Sequence, residues 1–423
     1  MDQRETVFSR QPRAVWLLIC CIVTLRLAAA FSIPFGQKVE HRLEGLNDEP
    51  AHFNYVKYLA QHRAFPVLEH SIREPGALER GEFEYFQAPL YYLACAPLYG
   101  MLGGKGALAG ALAGALAACR LLSVLCGLAS LWVIALILRD CGFPARMRLA
   151  AALFVGLLPS HLYFTVLASN DALSWLFAML LTRELLRYGT LGEESPGAVR
   201  TAVMTAVCLA AGVLTKGSLL VFFPAAACVF LYKYFSSKNR SHLVRGAWAL
   251  GISSAAVLPW YVRNLLLYHS LIGTPSASGE AFFTLQGLYG FLKMTDKHFW
   301  FPMQHLEGGT AAYFALCAVG GAVIAFHAFL ALLYIVKDGR RSFHAVALFL
   351  FFLLNIAAYA WYFFFTEWGN PEARFLFPAL ASIAFFFIVP AHRIFARFRI
   401  ERYFLPYILA VGLFPYPFLF FAG

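Results

Sequence analysis

Asp48 stands in the run Asn47-Asp48-Glu49-Pro50, with His52 and Tyr55 one and two turns further on. An Asn or Asp before Pro starts a helix, the side chain capping free amides while Pro occupies the first turn. A carboxylate held charged at such a terminus can also take a proton from an attacking hydroxyl or amine. Asp48 is the first candidate for a general base and Glu49 the second. Asp48 and His52 are four residues apart and share a helix face, so both can reach one cation. Two ligands do not make a site. No metal site is assigned, although a divalent metal is compatible with the pattern.

A second constellation runs from Glu84 to Tyr92, with Gln87, Pro89 and Tyr91 inside it. Tyr rings favour the membrane interface in any case. The alternative is that Glu84, Gln87 and the rings line a sugar-sized cleft, since flat polar ligands are held by stacking and hydrogen bonds. A third signal is a set of cations at the ends of apolar runs: Lys216 in Leu214-Thr215-Lys216-Gly217, Arg263 in Trp260-Tyr261-Val262-Arg263-Asn264, and Arg374 in Glu372-Ala373-Arg374-Phe375. Each alone reads as a snorkelling anchor. Together they suit a phosphate, because Arg forks match its oxygens and Lys adds a point charge. Arg120 and Arg26 are weaker candidates for that pocket. Asn170-Asp171 opens another apolar run, either as a cap or as a second carboxylate near Asp48.

The elements that must position these residues follow from composition. With 60% hydrophobic residues, 13% charged and a mean hydropathy of +0.65, the 423-residue chain is too apolar for a soluble domain. Only helices satisfy their own backbone in this pattern, so the expected fold is an all-α polytopic bundle. About eleven transmembrane helices are predicted, over 14–33, 115–138, 147–168, 172–189, 199–216, 218–234, 246–262, 311–336, 343–365, 374–391 and 404–421. With a cytoplasmic N-terminus, the clusters Arg139 to Arg148, Arg187 to Arg200, Lys233 to Arg245, Lys337 to Arg341 and Arg393 to Arg402 all fall inside.

The opposite, extracytoplasmic side receives two long segments, 34–114 and 263–310, and the short turns that carry Asp171, Lys216 and Arg374. The first segment is expected to hold juxtamembrane helices: Pro50 to His62, and an interfacial helix over Ala88 to Leu102. The Gly-Ala tract from Gly103 to Ala118 suits close helix packing. Leu292 to Phe301 is a plausible lid in the second segment. The whole chain, 1–423, reads as a single membrane-embedded module, its first span a retained anchor. The net charge of +11 lies in clusters between spans rather than in one stripe, which excludes nucleic acid as a partner. The nine cysteines lack metal spacing and read as packing residues.

These motifs, in this order and on one side, resemble the C-type superfamily of integral-membrane glycosyltransferases that use polyprenyl-phosphate sugars, the group containing the protein O-mannosyltransferases and the lipid A aminoarabinose transferase. The residues that carry the resemblance are Asp48-Glu49 with Tyr55, Glu84 to Tyr92 against a Glu-x-Pro-Pro-Leu-x-Tyr stretch, Ala118 to Leu121, Asn170-Asp171, Leu214 to Gly217, Pro259 to Tyr261 and Arg374 to Pro378. The resemblance implies Asp48 as the base, with Lys216, Arg263 and Arg374 on the donor phosphate. His52, Tyr55, Glu84, Gln87, Tyr91 and Asp171 are the candidates for contacting substrate. The expected reaction is a hexosyl or pentosyl transfer, inverting because the displacement is direct, to a lipid, glycan or protein acceptor that the resemblance does not specify, outside a membrane expected to be the bacterial inner membrane. Gln87-Ala88-Pro89 departs from the Lys-Pro-Pro or His-Pro-Pro of those relatives. The competing reading is a lipid-linked glycan flippase or secondary transporter, which would place ionisable groups at midmembrane in broken helices.

Overall fold

The computed structural model describes residues 13–33, 48–68, 81–102, 109–192, 195–271, 284–302, 311–337, 342–365 and 372–421, with Phe35 and Gly339. Among them every regular element is helical. In chain order these are α1 (Arg13–Ser32), α2 (Glu49–His62), α3 (Leu90–Leu102), α4 (Ala109–Asp140), α5 (Ala145–Leu157), α6 (Pro159–Phe164), α7 (Asp171–Thr190) and α8 (Gly197–Val213). They continue with α9 (Phe222–Ser237), α10 (Ser241–Tyr268), α11 (Leu285–Trp300), α12 (Ala311–Lys337), α13 (Phe343–Phe365), α14 (Leu380–Arg397) and α15 (Phe404–Leu413). Short 3-10 turns lie at Gly217–Val221, Ala373–Ala379, Glu401–Tyr403 and Tyr416–Phe421.

Among the described residues six stretches are long and apolar enough to cross a membrane: Ala113–Asp140, Gly217–Ser237, Ser241–Tyr268, Phe314–Lys337, Phe343–Phe365 and Ala373–Arg397. The expected eleven spans are therefore not all met on length and polarity. The predicted span over 147–168 is cut at Leu158, because Pro159 cannot continue the helix that ends at Leu157 and instead occupies the first turn of the next. The predicted 404–421 span breaks after Leu413 into the 3-10 turn from Tyr416.

Burial grades the bundle from centre to rim. In α14 every residue from Leu380 to Ala391 is buried, as expected of a helix apolar all round. By contrast α10 and α12 leave Trp248, Leu266 and Phe329 more than half exposed, the surface that lipid would cover. Small residues set the close crossings: a Cβ on Gly127 of α4 would lie 2.6 Å from Thr165, and one on Gly189 of α7 would lie 1.9 Å from the Phe343 ring of α13. The two helices expected in the first long segment form as α2 and α3, and the segment Leu292 to Phe301 covers the C-terminal half of α11, where Phe299 and Trp300 pack inward.

Candidate active site

Asp48 is the N-cap residue of α2, yet its side chain makes no capping hydrogen bond. Its carboxylate is turned elsewhere, and its Oδ2 accepts from Arg374 NH2 at 2.6 Å. Arg374 sits in the 3-10 turn before α14, where Pro378 prevents an ordinary helical start. The same guanidinium reaches Asp171 Oδ2 at 3.5 Å and pairs through Nε with Glu372 Oε2 at 2.6 Å. Lys216 Nζ lies 2.5 Å from Asp171 Oδ1. Four helix ends distant in sequence thus meet in one knot of opposite charges. Aromatic faces close it: Lys216 lies over the Phe375 ring, and Arg374 over Phe164 and Phe375.

The knot forms where helices are interrupted, and side chains complete the broken backbone there. Asn170 Nδ2 donates to Thr215 O at 3.1 Å and to Gln87 Oε1 at 3.3 Å. Leu90 N donates to Leu214 O, which ties the start of α3 to the Lys216 turn. His52 Nδ1 lies 2.6 Å from Tyr92 OH, and the Tyr92 ring stacks on Tyr55 at 3.8 Å. Glu84 is buried, with Oε2 lacking a partner among the described residues.

Charge in this cluster is unevenly distributed. Asp48, Glu84, Asp171 and Glu372 supply four carboxyls against Lys216 and Arg374. Burial pushes the Glu84 carboxyl up to about 8, reinforced by the charge on Asp48, so it carries a proton near pH 7. Burial also raises Glu372, against the pull of Arg374. At Asp48 burial works in the same upward direction, but Arg374 and His52 outweigh it and hold the carboxyl below its ordinary value. Burial lowers the His52 imidazole to about 4, which keeps it neutral. Asp48 keeps 29% of its side-chain surface open, against 1% for Asp171 and 10% for Glu372. It is the carboxylate of the set that an incoming group can reach while charged.

Asp48, His52 and Glu84 each offer a ligand atom, and these atoms lie within 4.8 Å of one another. Carboxylate and imidazole donors suit Zn²⁺ or Mn²⁺. The Glu84 oxygen that has no partner among the described residues fits such a use, and the sequence suggested only two of the three, Asp48 and His52.

Other predicted site residues lie elsewhere. Glu49 and Arg120 are spent on each other, at 2.8 and 2.6 Å, and both are buried. Arg120 also donates to Ala30 O and Ile33 O, while Glu49 accepts from Ala168 N. That pair joins α1, α2, α4 and the loop before α7, so neither side chain is placed for proton transfer or phosphate contact. Arg263 lies within α10, which runs to Tyr268 instead of ending near 262. It donates to Pro66 O and Asn264 Oδ1 and stacks on Trp260, none of them in the knot. Tyr55 and Tyr91 are fully buried, with hydroxyls on Gln87 O and on Cys119 O and Ser123 Oγ. Neither ring offers a face to a sugar. Arg26 is buried against His161 and Gly156 O. Glu372 was not singled out from the sequence, and its only signal was its position two residues before Arg374.

No protein-family model matches the chain, and no curated protein matches it in sequence. Solved structures do. ArnT from Cupriavidus metallidurans bound to undecaprenyl phosphate is 14% identical with a TM-score of 0.54, the match covering 90% of this chain and 60% of ArnT. The Archaeoglobus fulgidus oligosaccharyltransferase complexed with Zn and sulfate is 14% identical with a TM-score of 0.55, over 96% of this chain and 52% of that one. The same archaeal enzyme, AglB, with an inhibitory peptide and a dolichol-phosphate gives 12% and 0.53, over 97% and 55%. The chain therefore spans between half and two thirds of the length of these proteins. At such identities the likeness speaks for the backbone arrangement alone. The chain shares its backbone fold with ArnT and with the archaeal oligosaccharyltransferase.

Proposed function

We propose that this protein transfers a glycosyl group from a polyprenyl-phosphate-linked sugar to an acceptor on the extracytoplasmic side of a membrane. The observation that carries this reading is the convergence of Asp48, Asp171, Lys216 and Arg374 from four separated helix ends that the charge pattern assigns to one side. The structural neighbours add weight: one was solved with undecaprenyl phosphate and one with a dolichol-phosphate. A transporter would call for ionisable groups at midmembrane; the charge pattern assigns these to the outer ends of the helices.

In the proposed reaction the acceptor's O–H or N–H attacks the anomeric carbon as the bond from that carbon to the phosphate oxygen breaks. The acceptor proton passes to Asp48, and the bonding pair leaves on the lipid phosphate. Displacement from the opposite face inverts the sugar. Lys216 and Arg374 stabilise the departing phosphate, and both are presently neutralised by Asp48, Asp171 and Glu372. The donor phosphate must therefore exchange with carboxylates for these cations. That exchange frees Asp48 as a base at the moment the leaving group is bound. Asp48, His52 and Glu84 would hold a divalent cation, which would add positive charge beside the phosphate.

The test is purified protein in lipid nanodiscs with a panel of polyprenyl-phosphate hexoses and pentoses, with mass analysis of released lipid phosphate and of the acceptor. Transfer by the wild type and a loss of about 10²- to 10⁴-fold in Asp48→Asn, with unchanged thermal unfolding, are the expected results. Retained turnover in Asp48→Asn would remove it from the role of base. Movement of the intact donor across the bilayer without lipid phosphate release would favour the flippase.

A further inference from the structure

Each nitrogen of the Arg374 guanidinium faces a different carboxylate. NH2 donates to Asp48 Oδ2 at 2.6 Å, NH1 lies 3.5 Å from Asp171 Oδ2, and Nε lies 2.6 Å from Glu372 Oε2. The Glu372 oxygen stands off the line of the N–H, so this third pair is held by charge and not by a directional hydrogen bond. Nε and NH2 share one edge of the planar fork, and such an edge can grip two oxygens of a phosphate. Glu372 and Asp48 stand on that edge together. Asp171 is divided between Lys216 and Arg374, and Asp48 is the base of the proposed transfer, which leaves Glu372 as a charge beside the phosphate. Glu372 is fixed there by its own turn: it is the N-cap of the 3-10 turn that carries Arg374, and its carbonyl accepts from Phe375 N. With 10% of its side-chain surface open, little of its charge is screened by solvent.

We propose that Glu372 sets the preference of this pocket for a phosphodiester over a phosphate monoester, admitting the singly charged donor and expelling the doubly charged lipid phosphate that transfer leaves behind. The proposal rests on the donor-phosphate reading given above and adds the step that follows it. A lipid-phosphate sugar is a diester with one negative charge. When the bond from the anomeric carbon to the phosphate oxygen breaks, the bonding pair stays on that oxygen, and the lipid phosphate becomes a monoester whose second proton is lost at about pH 6. A fixed negative charge beside the site opposes a dianion twice as strongly as a monoanion. Glu372 therefore weakens the hold on the product more than the hold on the donor. Lys216 and Arg374 can then grip the departing phosphate without retaining it.

The experiment is equilibrium binding of two probes, farnesyl phosphate and its methyl phosphodiester, to the purified full chain in nanodiscs. Chelator-containing buffer at about pH 8.5 gives the first probe two charges and the second one. In Glu372→Gln, loss of one unit charge should tighten the diester by some factor and the monoester by roughly the square of it. The ratio of the diester to the monoester dissociation constant should therefore rise about 10-fold. Glu372→Asp, which keeps the charge, should stay near the wild-type ratio. An unchanged ratio in Glu372→Gln overturns the proposal, as does an equal loss of affinity for both probes, which would mean that Glu372 only holds Arg374 in place. Should Glu372→Gln fail to fold, the wild type itself decides. Among the described residues three carboxylates contact the two cations, so the wild type should bind the diester at least as tightly as the monoester. A preference of about 10-fold for the monoester overturns the proposal alone. Binding of neither probe by the wild type overturns the donor-phosphate reading on which it rests.

Discussion

Asp48 and Glu84 are both carboxyls at the edge of the same cluster, and their surroundings give them opposite states. Arg374 keeps Asp48 charged and partly open, whereas burial leaves Glu84 protonated near neutrality. A carboxyl with a raised folded-state value binds its proton more tightly in the folded protein than in the unfolded chain. Its contribution to stability is fully present below the unfolded value of about 4.5 and is lost as pH rises through about 8. Thermal unfolding in chelator-containing buffer should therefore fall in temperature between pH 5 and pH 9 in the wild type. Glu84→Gln should flatten that slope; an identical slope in the variant would show that another group causes it. His52 adds the reverse trend at low pH, since its folded value near 4 costs stability as pH drops below about 6.5.

Buried pairs and turns hold the helix ends in place. The Glu49–Arg120 pair is closed on both sides, so removing one partner strands a buried charge. Arg120→Met should destabilise by about 3–5 kcal/mol, and Glu49→Gln combined with Arg120→Met should recover part of that in a double-mutant cycle. Additive losses would show that the pair is not coupled. The loop into Glu84 is fixed by Gly81, at φ +62°, whose carbonyl accepts from Asn54 Nδ2. A Cβ there would lie 2.9 Å from that same nitrogen. Gly81→Ala should cost about 1–2 kcal/mol from the left-handed backbone alone and lower transfer activity by displacing Glu84. Stability and turnover equal to wild type would show that this turn does not position the site.

The bundle as a unit carries the sidedness on which the reading of function depends. Reporter fusions at the exposed Arg63 and His269 C-caps should report the extracytoplasmic side, and fusions at the Lys238 C-cap the cytoplasmic side. Paired alkaline phosphatase and fluorescent-protein fusions measure this directly. Arg63 and Lys238 on the same side would break the alternation of basic clusters that assigned the site to the outer face. The same measurement at the turns around Gly142 and Leu191 would resolve whether α5, α7 and α8 cross, although they fall outside the six long apolar stretches.

Much of this was legible from the chain because the membrane imposes one-dimensional rules. Apolar length announced helices, and alternating basic clusters placed Asp48, Asp171, Lys216 and Arg374 on one side. The order of motifs was enough to suggest the fold that the solved neighbours share. Where a helix breaks was less legible: Pro159 was visible, but hydropathy averaged over a long window hides an interruption of a few residues. Partner choice was not legible at all. Glu49 is adjacent to Asp48, and Arg120 is as basic as Arg374, yet Arg120 pairs with Glu49 and Arg374 with Asp48. A carboxylate on α2 points toward α4 or toward the turn before α14 according to its azimuth on the helix and the crossing of its neighbours. Those are properties of packing in three dimensions, and they decided which acid remained reachable.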